Sequence, residues 1–357
     1  MVSVYRSNEK PRSLTIFDVR PAALKPGDFH MPIAKRNGAR RLNLTVGEIV
    51  QVRSAVEILA TLDENGELDA LPFMFEMLQY CGKQFSVFKR AAKTCDTVNW
   101  TGNRTLADTV HLAELRCDGT AHGGCQAGCL LFWKEAWLRR PARDSQAPAS
   151  ELSSPRMTLE ILRQRTRKHL DPCSPDEDVY SCQATELPRF TKPLSPWNLS
   201  QYLRDWTCGN VKASSMLRSL GIWFFNILQR IRKGAPYPMY FRTTVRGPLQ
   251  KTPRETLDLK PGELVRIKER DEILATLDGR ERNRGLYFDP EMVRFCGGEY
   301  RVLRRVQKII NEKTGKMMKM PNDCIVLEGV ACVGELHGFC PRSIYPYWRE
   351  IWLRRAE

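Results

Sequence analysis

One stretch of this chain occurs twice. GEIVQVRSAVEILATLD, at residues 47–63, returns as GELVRIKERDEILATLD at residues 262–278, with the heptapeptide EILATLD intact in both. The offset of 215 residues then holds without a gap to Arg140 and Arg355. By direct comparison about a third of the aligned positions are identical. An internal duplication of this length means that one fold must form twice, so an account of either copy has to serve the other.

The rest of the chain is arranged around the two copies. Residues 1–40 form a polar, basic lead-in, and residues 41–140 carry the first copy. Residues 141–156 have the Pro/Ser/Ala composition of a linker. Residues 157–250 are unique to the middle, and residues 251–357 carry the second copy. At 357 residues the chain is long enough for two or three cores. No apolar run reaches the roughly 18 residues of a membrane span. The first residues lack the apolar core of a secretory signal, so a cytoplasmic protein is expected. Twelve cysteines in that reducing setting point to metal ligation or buried thiols rather than to disulfides.

Each copy holds a cysteine, a long interval, and then Cys-x4-His-x2-Cys. The first set is Cys81, Cys117, His122 and Cys125, and the second is Cys296, Cys332, His337 and Cys340. Three thiolates and one imidazole make a closed tetrahedral zinc site, so two zinc ions are expected. The chain has only five histidines, and two fall at equivalent positions inside equivalent cysteine clusters. A closed site argues for structure over catalysis, because hydrolytic zinc keeps a position open for water. The bland alternative is buried reduced cysteines that pack as small apolar groups. Copy one adds Cys129 where copy two has Ile344. Cys129 could replace His122 as a ligand, act as a reactive thiol, or simply pack in the core. Cys173, Cys182 and Cys208 are unrepeated and irregularly spaced.

Local patterns imply an α+β fold: two small zinc-stapled modules joined by a mainly helical middle region. Residues 264–268 read as a strand, and Asp271 is placed to cap a helix through EILATL. Asp289-Pro290-Glu291 starts a helix that stops at Gly297-Gly298, leaving Cys296 at its end. Residues 300–312 read as a long strand turning at Lys313-Thr314-Gly315, and residues 324–330 as a strand delivering Cys332. Residues 347–355 read as a closing helix with Trp348 and Trp352 one turn apart. Glu135 and Glu350, between paired tryptophans, are expected to make helix-surface ion pairs with Lys134, Arg139 or Arg354 rather than to act as general bases. The aromatics Trp133, Trp137, Tyr345, Tyr347, Trp348 and Trp352 are expected in the core rather than stacked on bases.

In the middle, residues 159–170 and the apolar residues 216–231 both read as helices. The second is expected to be a central helix against which both modules pack, the alternative being an amphipathic helix on an anionic membrane surface. LDLKPGELVRIK, at the opening of copy two, resembles the first strand of SH3-like barrels such as those of ribosomal and transcription-elongation proteins. The whole chain resembles bacterial proteins, which implies a bacterial setting. No P-loop, dinucleotide glycine pattern or zinc-protease motif is present. The net charge of +15 favours a polyanionic partner. The expectation is therefore a non-catalytic zinc protein that binds a polyanion such as nucleic acid. The alternatives are a metalloenzyme centred on His122, Cys125 and Cys129, and a peripheral membrane protein docking through residues 216–231.

Overall fold

A computed structural model describes residues 41–141, 158–169, 178–232 and 249–356. The lead-in and nearly all of the linker lie outside them, as does Cys173. The described residues combine helices and sheets, an α+β arrangement built around two hydrophobic cores.

In the first half, strand β1 (Ile49–Val52) lies between β2 (Gln84–Arg90) and the last strand of that half. The chain continues through β3 (Lys93–Cys95), β4 (Asn103–Thr105), β5 (Thr109–Leu112), β6 (Trp133–Lys134) and β7 (Leu138–Arg139). The sheet order is β6-β5-β2-β1-β7, while β3 and β4 form a hairpin extended by Lys192–Pro193. The second half builds β8 (Leu264–Ile267), β9 (Glu299–Ile310), β10 (Met317–Leu327) and β11 (Leu353–Arg355), in the order β10-β9-β8-β11.

The pairings of the two sheets recur 215 residues apart. Ile49 opposite Ser86 becomes Leu264 opposite Arg301, and Val52 opposite Leu138 becomes Ile267 opposite Leu353. Even the β-bulge between Val87 and Lys89 is repeated between Val302 and Arg304. Val110 pairs with Trp133, and Ile325 with Trp348.

The segment expected to be a closing helix is extended. A single 3₁₀ turn, Glu350–Trp352, leads into β11, and Glu135–Trp137 does the same before β7. Trp348 and Trp352 still share the core, 6.5 Å apart edge to face. Trp133, Trp137, Trp348 and Trp352 are fully buried, and Tyr347 is buried beside them. Glu135 and Glu350 are buried too, and their partners differ from those expected. Glu135 accepts the N–H groups of Leu42, Asn43 and Leu44 and pairs with Arg90 at 3.1 Å. Glu350 accepts those of Leu257 and Leu259 and pairs with Arg305 at 2.6 Å. Each carboxylate thus ties the segment leading into its half to the sheet.

The short helix after β1, Ala55–Leu59, is closed by a reciprocal cap: Ser54 accepts the Glu57 N–H and Glu57 accepts that of Ser54. In the second half Glu269 occupies the cap position that the sequence pattern gives to Asp271. In the middle region the helix from Leu159 ends at Arg165, and Arg167–His169 is a strand, so the helix is shorter than residues 159–170. Ala213–Ile231 is helical, but Leu217 (69%), Leu220 (55%), Phe224 (59%) and Ile231 (74%) are exposed. It is therefore not a central helix packed between modules. Among the described residues no helix is long and apolar enough to cross a membrane.

Candidate metal centres

Two groups of donors, related by the same 215-residue offset, could each hold a metal ion: Glu76, Cys117 and His122, and Glu291, Cys332 and His337. Within each group one donor atom per residue lies within 4.8 Å of the others. Three elements converge to make each group. The glutamates sit in the first turn of 3₁₀ helices, Phe75–Tyr80 and Pro290–Phe295. The cysteines follow the third strand of each sheet. The histidines come from the loop that follows.

That loop is folded tightly on itself. Cys117 N–H donates to Cys129 O at 2.8 Å, and Cys332 N–H to Ile344 O at 2.9 Å. His122 N–H donates to Gly119 O, and His337 N–H to Gly334 O. Gly119 and Gly334 have φ of +76° and +78°, and a Cβ there would lie 2.1 Å and 2.4 Å from the carbonyl oxygens of Cys125 and Cys340. Only glycine meets both demands. The loop is thus Cys-x-Gly-x2-His-Gly-x-Cys in both halves.

In the first group the Cys117 thiol lies 3.3 Å from His122 Nε2 and 3.4 Å from Glu76 Oε1. His122 Nδ1 lies 3.5 Å from Glu76 Oε1. Burial sets the protonation: it pushes the Glu76 carboxyl up to about 7 and the His122 ring down to about 4. Burial and the nearby Glu76 push the Cys117 thiol up. Burial thus disfavours charge on all three donors, and a divalent cation would offset that by displacing protons from the thiol and the carboxyl.

The second group carries one more carboxylate. Asp289, where the first half has Met74, accepts from His337 Nε2 at 3.1 Å. Burial alone would raise Asp289 and lower His337, but their mutual attraction outweighs it, holding the carboxyl at about 2 and the ring at about 9. In the second half a ring nitrogen is thus hydrogen-bonded to a carboxylate, the arrangement that commonly supports a ligating histidine, whereas in the first half His122 Nδ1 only lies near Glu76.

Of the remaining cysteines in the two expected sets, Cys125 and Cys340 line the cavities that hold these groups. Cys81 and Cys296 line neither cavity. They end the two 3₁₀ helices, half-buried against the first and second cores respectively, and burial pushes the Cys296 thiol up to about 12. The first cavity also holds Cys129 and Cys182, and the second holds Cys95. Glu76 and Glu291 went unused in the donor sets although both stand in a Glu-Met pair kept across the repeat. Cys95 and Cys182 have no repeat signal at all.

The halves also exchange parts. The Cys95 N–H donates to Cys340 Sγ at 3.1 Å, and the Ile310 N–H donates to Cys125 Sγ at 3.3 Å. These are one contact seen twice, because residue 310 is the counterpart of residue 95 and residue 340 of residue 125. Each hairpin tip reaches into the other half's cavity. Where the tips meet, Thr97 hydrogen-bonds its own counterpart Glu312, and Arg342, almost fully buried, bonds both. Arg342 lines both cavities. Compared with protein-family models, with curated proteins and with solved structures, the chain matches none.

Proposed function

We propose that the protein is a non-catalytic, two-centre zinc protein whose metal-stapled modules bind a polyanion, nucleic acid in the first instance. The observation that carries the metal reading is the recurrence of a Glu/Cys/His group at the same offset in both halves. Sulfur and imidazole donors favour zinc over magnesium or calcium, which take oxygen. Cys125 and Cys340, in the same cavities, bring the shared sulfur and imidazole set to two thiols and one imidazole, with Asp289 orienting the His337 ring. A role for the metal in stability follows, because donors from a strand end and from separate points of the following loop are fixed at one point.

In each half the first strand lies between the last and the second, with the third beyond and, in the first half, a fourth, an order that supports an SH3-like barrel reading. It agrees with the resemblance of the LVRIK strand. The net charge of +15 supports a polyanionic partner. Elemental analysis of the purified protein tests the metal reading: two zinc ions per chain are expected, with a fall in melting temperature on chelation. A protein that carries no metal and is indifferent to chelator refutes it. A salt series of nucleic-acid binding tests the partner, which should weaken steeply with ionic strength.

A second reading rests on the exposed stripe Leu217, Leu220, Phe224 and Ile231. A basic helix with such a face would sit on an anionic membrane. Co-sedimentation with anionic vesicles that is lost on Phe224→Ala supports it, and the absence of co-sedimentation rejects it.

A further inference from the structure

Besides Glu76 and Glu291, the two cavities share three sulfur or imidazole donors by position: Cys117, His122 and Cys125 in the first, Cys332, His337 and Cys340 in the second. At two other positions, besides Met74 and its counterpart Asp289, they differ in mirrored fashion. The first cavity is lined by Cys129 and Ile310, and the second by Ile344 and Cys95. Ile344 is the counterpart of Cys129, and Ile310 is the counterpart of Cys95. Each cavity therefore has one cysteine and one isoleucine at the two variable positions, with the choice reversed.

The backbone holds these positions alike in both halves. The carbonyls of Cys129 and Ile344 accept from Cys117 and Cys332, and the N–H groups of Cys95 and Ile310 donate to Cys340 and Cys125. At these two positions, what changes between the halves is which one carries sulfur.

We propose that each metal centre is completed by the cysteine that the other lacks, Cys129 in the first and Cys95, reaching across from the first half, in the second. This rests on the reading that both groups bind metal. The ligand sets are then Cys117, His122, Cys125 and Cys129, and Cys95, Cys332, His337 and Cys340. Both are three thiolates and one imidazole, a closed zinc set. Neither set uses Cys81 or Cys296, which stand outside both cavities. Three thiolates around a divalent cation leave one negative charge, and Arg342, lining both cavities, provides the opposite charge beside each. The second centre spans the two halves, so its metal binds them together. Cys182, from the middle region, also lines the first cavity and is the competing donor there.

Cobalt(II) is the probe, because its thiolate charge-transfer absorbance reports how many sulfurs bind each ion. The full-length chain should take two ions with three-thiolate intensity at both. Cys95→Ile and Cys129→Ile each install the residue that the other half already tolerates at that position. Each should weaken one site by at least about tenfold, the loss that even an outer partner of a ligand brings. Charge transfer from the other site should persist, which also shows that the variant is folded. Cys81→Ser, Cys182→Ser and Cys296→Ser should keep both sites. The proposal is overturned if Cys95→Ile retains two full-strength sites, or if Cys296→Ser or Cys182→Ser loses one. A wild-type chain that binds neither cobalt nor zinc overturns the metal reading itself, a result distinct from a changed ligand set.

Discussion

His111 offers a quantitative test of the first core. It stands in β5 where Val326 occupies the counterpart position in β10, and its side chain is fully buried. The ring packs 4.6 Å from Phe132, Nδ1 donates to Leu131 O at 2.9 Å, and Nε2 has no partner. Burial holds its pKa at about 3, against an ordinary value of 6.5. The unfolded chain takes up a proton as pH falls through about 6.5, whereas the folded protein resists until about 3. The stability tied to the neutral ring is therefore complete above that upper value and is lost as pH falls through the window. At about 1.4 kcal/mol per pH unit, the loss at about pH 5 is about 2 kcal/mol. His111→Val abolishes this loss but strands the Leu131 carbonyl, at a pH-independent cost of about 1–2 kcal/mol. Urea unfolding followed by tryptophan fluorescence should find the variant weaker at neutral pH. The deficit should vanish or reverse near about pH 5. A wild-type minus variant difference that stays the same at both pH values would refute the argument, since every other titrating group cancels in it.

Three further outcomes are expected. Gly119→Ala or Gly334→Ala should cost at least about 2 kcal/mol, because positive φ alone costs an L-residue about 1–2 kcal/mol and the new Cβ also meets a cysteine carbonyl. Thermal melts should show both losses, and only the affected half should lose metal. Glu135→Ala should cost about 3 kcal/mol by denaturant unfolding, because Arg90 and three N–H donors lose their acceptor. Amide exchange at Leu42 and Leu44 should rise with it. Lys93 and Asp205 form a buried pair at 2.6 Å, each side chain 2% exposed. Lys93→Met alone should cost about 3–5 kcal/mol, and adding Asp205→Leu should recover most of that in the same assay.

Much of the β framework was legible in the chain, because a repeat without gaps fixes register twice over. The strand at residues 264–268, the hairpin turning at Lys313-Thr314-Gly315 and the Asp289-Pro290 start all stand close to where their local patterns put them. The tryptophans misled for a physical reason. A spacing of four reads as one helical face, but a 3₁₀ turn between two extended segments also returns Trp348 and Trp352 to one side. The apolar residues 216–231 do form a helix, yet periodicity carries no information about whether a partner covers the stripe.

The donors divide along the same line. Cys117, His122 and their counterparts were legible because repetition singles out shared residues. The same logic singled out Cys81 and Cys296, which the structure places at the ends of 3₁₀ helices outside both cavities. It was blind to Cys95, whose counterpart is an isoleucine and whose partner Cys340 lies 245 residues away. Glu76 and Glu291 were in plain view, but a thiol-and-imidazole pattern left no reason to include a carboxylate.

The exchange of hairpin tips also bears on the order in which the molecule can assemble. On a ribosome the first half emerges early with its own core, but the wall of its cavity needs Ile310, Glu312 and Arg342, which emerge last. Nascent Cys117, Cys125 and Cys129 therefore spend most of synthesis without the partners that enclose them. The late contacts span nearly two hundred residues or more, a separation that slows folding because long loops must close first. Closure of either cavity waits for the other half, because residues of each half wall the other's cavity.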